Sequence, residues 1–389
     1  MKNDKPHILI IGAGFTGCAI AHDLALRGCQ VTVIERGEIA SGTSGRTHGL
    51  LHSGGRYCVT DQEAAIECID ENIILRHISH QFIEFNGGLF IALTDEDLAF
   101  APQFESGANA CHIPVERLTP AQALKMEPGI NPNLLVAYTA PDGTFDPLRL
   151  ALAFAATARQ NGAEFHTFHQ LQSLQVNGTG AVQGARVLDR HANREYDLAA
   201  DLVINATGAW AGKAIGNYGV SVPVVPTPGI MVAYDQRLIE RVVNRLAPPG
   251  DGDILIPQRR MVVIGTTSYE VEDPDYIPVP ADQVEEMYCQ AVNLVPGVQH
   301  TQQRGIYMSA RPLIGSTSSG RSLSRTFKCY DHKVMDNLDG LITITGGKAT
   351  TCRAMAEKTA DLACAKLGIS APCQTRDVPL VSYRDFYRP

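Results

Sequence analysis

Ten cysteines are scattered through the chain, at positions 18, 29, 58, 68, 111, 289, 329, 352, 364 and 373, and no two form a CxxC pair. That spacing argues against a zinc or iron–sulfur site within these residues, and no metal ligands are assigned. In 389 residues it also makes no disulfide framework, so the thiols read as reduced and packed. No basic stripe is present and the net charge is -8. Without clustered cations to displace counterions from phosphates, nucleic acid is excluded as a partner. Long apolar runs are missing too. The longest, Leu150–Ala158, is edged by Arg149 and Arg159 and falls far short of the ~20 residues of a membrane span. The apolar residues near the N-terminus flow straight into a glycine motif, as a buried strand does and a signal peptide does not. Repeats and low-complexity segments are absent, and there is one tryptophan.

What is present is a full core. Hydrophobic residues make up 44% and charged residues 19%, the balance of a soluble globular protein. The length suggests two domains. His7–Ile11 reads as a buried strand, residues 15–28 as a helix closed by Gly28, and Val31–Glu35 as a second strand. Asp61–Gln81 is an amphipathic helix with its outer face in solvent and no functional signal. Gly87–Thr94 is a strand, and Asp146–Gly162 a helix with Pro147 in its first turn. Strand-like runs follow at Phe165–Val176, Ala181–Leu188 and Glu195–Leu198, then a buried strand in Ala200–Trp210. Residues 220–330 are rich in proline and short strands around a helix at Ala281–Leu294, the pattern of an antiparallel sheet. Gly340–Gly368 returns to strand, glycine turn and helix.

The most informative local pattern is Gly12-Ala13-Gly14-Phe15-Thr16-Gly17, set between a strand and a helix, with Glu35 ending the next strand. Gly12 permits the tight turn, Gly14 lets backbone approach a pyrophosphate, and Gly17 lets helix and strand pack closely. The helix N-terminus offers N–H groups to phosphate, and Glu35 accepts ribose hydroxyls. The pattern predicts a dinucleotide site without separating NAD from FAD.

A long polar loop follows, containing RTHGLLHSGGRY (Arg46–Tyr57). It is suited to wrap an extended dinucleotide. Further glycine turns at Gly208 and at Gly346–Gly347 can converge with Gly12 on one long cofactor, and FAD is long enough to meet all three. His48 reads as a structural hydrogen bonder and Trp210 as packing.

With IIGAGFTGCAIAHDLALRG, IASGTSGRTHGLLHSGGRY, PDGTFDPLRL, VINATGAWAG, GDILIP…VIGTTS, SARPLIG and ITGGKATTCRAMAE in view, the chain resembles the FAD-dependent glycerol-3-phosphate dehydrogenases. The likeness is to the catalytic subunits of the anaerobic bacterial branch in particular, and it covers nearly the whole chain. It implies an α/β fold: a Rossmann-like FAD-binding domain of the glutathione-reductase and D-amino-acid-oxidase type, with a second, largely antiparallel substrate domain. The first would comprise residues 1–86, 145–215 and 325–372, the second 87–144 and 216–324, with a tail at 373–389. The implied cofactor residues are Gly12, Gly14, Gly17, Glu35 and Arg36 at the ADP half, then Ser41, Thr43, Ser44, Arg46, Thr47, Gly49 and Leu50 along pyrophosphate and ring. Gly208, Gly346, Gly347 and Lys348 complete that set.

The resemblance also implies oxidation of sn-glycerol 3-phosphate to the ketone. His52 would be the base and Arg311 the polarising cation, while Arg56, Lys348 and Thr267 contact the substrate. The implied partners are a small anionic polyol phosphate and, for the electrons, a quinone or an iron–sulfur protein. Localisation would be cytoplasmic, peripheral on the inner face of the membrane. Family members of the anaerobic branch carry a further ferredoxin-like module, whereas this sequence ends at Pro389, where the catalytic part does. Departures fall at Pro228, Ala349 and Cys352. Two alternatives remain open: a related enzyme acting on another polyol phosphate, a 2-hydroxy acid or an amino acid, and a flavin-binding electron-transfer subunit.

Overall fold

A computed structural model describes residues 5–315 and 325–388. Residues 1–4, 316–324 and 389, which belong to the expected segments, lie outside the described residues.

The short β-rich runs that carry no alternation become the centre of the fold. Six strands form one sheet in the order Phe327–Asp331, Leu341–Gly346, Leu202–Asn205, His7–Ile11, Gln30–Glu35 and Glu164–Thr167. All neighbours are parallel except the pair Phe327–Asp331 and Leu341–Gly346. A parallel sheet is covered on both faces, which is why its strands read as unbroken apolar runs. Ile8, Ile10, Val31, Val33, Ile204 and Ile342 pack under the helices Phe15–Leu26, Pro147–Gln160 and Cys352–Leu367. Leu9, Ile11, Ile34, Val203 and Leu341 face the other way, onto Leu174 and Val187 of a three-stranded antiparallel meander, His169–Val176, Val182–Asp189 and Arg194–Ala199. Each fully buried side chain of this kind contributes roughly 1.5–3 kcal/mol.

The second large sheet has eight strands, in the order Gln303–Ile314, Val224–Tyr234, Met261–Gly265, Ile254–Gln258, Val242–Arg245, Gly88–Ala92, Val136–Ala140 and Arg117–Leu118. Every pairing is antiparallel except Val242–Arg245 with Gly88–Ala92. Helix Ala281–Leu294 closes one face, with Met287, Ala291 and Leu294 packed on Leu255, Val262 and Ile264. A small sheet of Leu50–Leu51, Gly143–Phe145 and Ile83–Glu84 completes the architecture.

Three expectations need refinement. The run Phe165–Val176 is two strands in two different sheets, because Phe168 turns the chain with a φ of 60°. The helix expected over Asp61–Gln81 spans Gln62–Ile78; the Asp61 side chain accepts from the Ala64 N–H at its start, and Ser79 bonds back to Leu75 at its end. The last helix begins at Cys352, so a separate turn over 347–351 intervenes after the glycine pair. Pro226 and Pro228 sit in a strand interior without cost, since that stretch of Val224–Tyr234 pairs only with Gln303–Ile314.

Candidate active site

One cavity of about 690 Å³ runs between the two large sheets and gathers most of the expected site residues. Gly12 closes the first strand with a φ of 102°, and a Cβ there would stand 2.8 Å from the Ala206 carbonyl oxygen. A Cβ at Gly17 would collide with the Gly12 carbonyl. Gly17 therefore packs the helix against the turn and does not line the cavity, whereas Gly14 does. The Ser44 hydroxyl accepts from the Phe15 N–H (2.9 Å) at the helix start, so this loop returns to the anion-binding end of the helix. Glu35 is held by two backbone donors, Ala13 N–H (3.0 Å) and Gly37 N–H (2.9 Å), and each carboxylate oxygen keeps a lone pair. Arg36, expected at the cofactor, lines the cavity but is already engaged with Asp275 and stacked on Trp210.

Ser41, Thr43, Arg46, Thr47 and Leu50 continue along the wall. Gly49 lies behind it: a Cβ there would collide with Gln258 and the Phe145 carbonyl, so its role is packing. Gly208, Gly346, Gly347 and Lys348 line the far side, and all three glycines have positive φ. The cradle is thus bare backbone at three turns, with a carboxylate at one end, and an extended dinucleotide such as FAD fits it.

The other end is cationic. Arg311 donates to four acceptors, Thr227 O (3.2 Å), Thr266 Oγ1 (3.2 Å), Pro228 O (3.0 Å) and Thr267 O (2.9 Å). All four are uncharged, so the guanidinium is fixed in place but not neutralised. Burial and then the nearby Arg325 pull its pKa down to about 9. Lys348 donates to the Arg325 carbonyl (2.9 Å), with its ammonium 4.8 Å over the Tyr57 ring. Arg56 differs from both. It is ion-paired with Asp253 (2.8 Å) and bonded to Asn244 (3.3 Å); burial opposes its charge, Asp253, Tyr57 and Asp142 together outweigh burial, and the net shift is upward.

His48 and His52 stand side by side, ring centroids 6.0 Å apart, with Tyr57 5.4 Å from His52. The His48 Nδ1 accepts from the Leu50 N–H (3.2 Å), leaving its proton on Nε2. Burial first, then His48, Lys348, Arg56 and Arg325, hold His52 well below the ordinary histidine range, so it is neutral and has a lone pair to offer. Its backbone is pinned by the Thr350 hydroxyl (3.1 Å) and by Asn72, which donates to the His52 carbonyl (3.1 Å).

Thr267, expected to contact substrate, is fully buried behind the wall. Its hydroxyl accepts from the Ile230 N–H and its carbonyl holds Arg311; the threonine that lines the cavity is Thr266. The sequence reading also passed over Tyr57, Arg325 and the Asp253–Asn244 pair. Tyr57 carried a signal in its place in the His-rich stretch, and Asp253 in the GDILIP segment. Asn244 and Arg325 are remote in sequence and lie in no motif. No residue of the helix Gln62–Ile78 lines the cavity, but its inner face supports the wall from behind: Asn72 holds the His52 carbonyl, and the buried Glu71 is bonded to Arg353 (2.8 Å). Among the described residues no cluster could hold a metal ion, and no helix is long and apolar enough to cross a membrane.

Known proteins are similar to this chain. A subunit of the anaerobic glycerol-3-phosphate dehydrogenase of Haloferax volcanii is 40% identical over 396 residues, covering 98% of this chain and 67% of that protein. The corresponding polypeptide of the Escherichia coli anaerobic glycerol-3-phosphate dehydrogenase is 42% identical over 378 residues, covering 96% of this chain and 69% of that protein. The chain therefore spans about two thirds of the length of these relatives. A solved glycerol-3-phosphate dehydrogenase from Bacillus halodurans, complexed with FAD, shares the fold with a TM-score of 0.73 and 24% identity, over 98% of this chain and 68% of that one. A family model described as FAD dependent oxidoreductase matches residues 7–362, from the first strand to the last helix, and on that match the chain belongs to the FAD-dependent oxidoreductases.

Proposed function

We propose that this protein oxidises sn-glycerol 3-phosphate to dihydroxyacetone phosphate. The observation that carries the reading is the uncompensated Arg311, held rigid by four neutral acceptors in a cavity that Lys348 also lines. Two fixed cations at the end of a flavin cavity suit a phosphate, and the identity to the dehydrogenase subunits supports this substrate class.

Gly12, Gly14, Ser44 and Glu35 would hold the ADP half of FAD, and the turn Gly346–Lys348 the flavin side. Bound there, FAD supplies a hydride acceptor. Arg311 and Lys348 orient the substrate through its phosphate. His52 takes the hydroxyl proton, for which its neutral imidazole is already in the right state. Arg56, its charge answered by Asp253, acts as an oriented hydrogen-bond donor, with the substrate-binding part drawn from residues 87–144 and 216–324. The relatives are designated as subunits of larger enzymes, which supports a partner protein or a quinone as the electron acceptor, and with it a peripheral position at the membrane.

The test is anaerobic. The FAD-loaded protein is mixed with sn-glycerol 3-phosphate, and the oxidised-flavin absorbance is followed. Bleaching with the phosphate ester and not with glycerol is the expected outcome. A flavin that stays oxidised with the ester but bleaches with a 2-hydroxy acid or an amino acid overturns the substrate assignment.

A further inference from the structure

Residues 266–280 leave the eight-stranded sheet after Met261–Gly265 and return to it at helix Ala281–Leu294. The first part of this loop is tied to its own sheet, Val271 N–H donating to the Pro226 carbonyl at 3.1 Å. The tip is tied elsewhere. Asp275 Oδ1 accepts from Arg36 Nη2 (2.8 Å) and Trp210 Nε1 (2.9 Å), and its Oδ2 accepts from Lys213 Nζ (2.9 Å). Arg36 follows the strand Gln30–Glu35, and Trp210 and Lys213 follow Leu202–Asn205, so all three donors belong to the parallel sheet. Asp273 supports the tip, accepting from the Asp275 N–H (2.9 Å) and from Lys213 (3.0 Å).

Pro274 and Asp275 line the same cavity as Gly14 and Glu35. The loop tip therefore spans the end where Glu35 awaits a ribose, and one carboxylate fastens it there. The Arg36 guanidinium lies 4.6 Å over the Trp210 ring, a flat wall whose two members are both oriented by Asp275. Three donors outweigh burial and hold the Asp275 carboxyl at a pKa of about 2, so the fastening stays charged at neutral pH.

We propose that Asp275 is a cofactor-positioning residue: it clasps the 266–280 loop across the adenosine end of FAD and sets how fast the cofactor leaves. The inference rests on the family's FAD requirement and is independent of the substrate. The clasp is built to open. Its side chains are half exposed, 44% for Arg36, 39% for Asp275 and 55% for Lys213, and such ion pairs are individually weak and screened by salt.

The experiment dilutes FAD-loaded protein and follows cofactor release by the rise of flavin fluorescence, at low and at high salt. Asp275→Ala is expected to release FAD about tenfold faster at low salt, the gain lying in the dissociation rate. Wild type should accelerate with salt towards the variant's rate, the variant should barely respond, and Asp275→Glu should restore part of the salt response. Lys213→Ala removes one tie from an exposed side chain and should give an intermediate rate, which keeps the test valid if Asp275→Ala folds poorly. Equal release from wild type and both alanine variants at low salt, or an unchanged salt response in them, overturns the proposal.

Discussion

Arg311 is a costly residue. A buried guanidinium facing only carbonyls and a hydroxyl is disfavoured by roughly several kcal/mol relative to a paired one, and an anion in the cavity relieves that. The same field acts on His52. Burial first, then His48, Lys348, Arg56 and Arg325, disfavour a positive charge there, which keeps the imidazole neutral down to low pH. A base works only while unprotonated, so the rate of flavin reduction at saturating substrate should fall on the acid side at a pH well below the ordinary histidine value. Replacing Lys348 with methionine removes one of those charges and raises the His52 pKa. The acid limb should then move to higher pH, and the Michaelis constant should rise at least tenfold, about 1.4 kcal/mol of lost anion contact. A pH–rate profile of the Lys348→Met variant checks both; an acid limb left in place removes His52 as the base.

At the scale of elements, the helix Gln62–Ile78 shows where sequence reading stops. Its outer face is exposed as the pattern says, with Ile66 and Ile73 standing out among the polar residues. The inner face holds Glu71 against Arg353 of the last helix, 282 residues away, with both side chains almost fully buried. Burial pushes the Glu71 carboxyl up, and Arg353 is what keeps the pair charged. Glu71→Ala leaves that cation half answered, by Glu357 and Thr375 alone, and should cost roughly 3–5 kcal/mol in urea unfolding. The glycine cradle and the His52–Arg56 stretch were legible because each is local, its chemistry set by spacing along a few residues. Asp253 and Thr266 lie in the GDILIP…VIGTTS run, but their roles were not legible, since each acts through a partner far off in sequence, Arg56 and Arg311, and Arg325 lies in no motif at all. Phe168 was hidden for another reason: nothing in an apolar–polar run announces the one residue that hands the chain from one sheet to the next.

For the whole molecule, acid stability is set partly by a residue with no part in the chemistry. His22 is fully buried where the first helix meets Phe154, ring centroids 5.9 Å apart, and neither ring nitrogen has a partner among the described residues. Burial lowers its pKa to about 4 in the fold against 6.5 in the open chain. The unfolded state therefore binds the proton first. Stability should decline as pH falls from about 6.5 to about 4 and level off below, by roughly 3 kcal/mol from this group. Chemical unfolding across that range is the measurement, and His22→Leu should flatten it; an unchanged slope would show that other groups set the acid limit.

The order of strands in the parallel sheet has a consequence for how the protein is made. His7–Ile11 leads into the cofactor cradle, yet it lies beside Leu202–Asn205, which in turn waits for Leu341–Gly346. A ribosome delivers that third strand roughly 330 residues after the first, some 17–66 s later at about 5–20 residues per second. Throughout that interval the nascent chain carries a nucleotide-binding signature with no finished site behind it. Flavin capture is therefore a late event in the life of each molecule, and it reports that nearly all of the sheet has been synthesised and threaded in the right order.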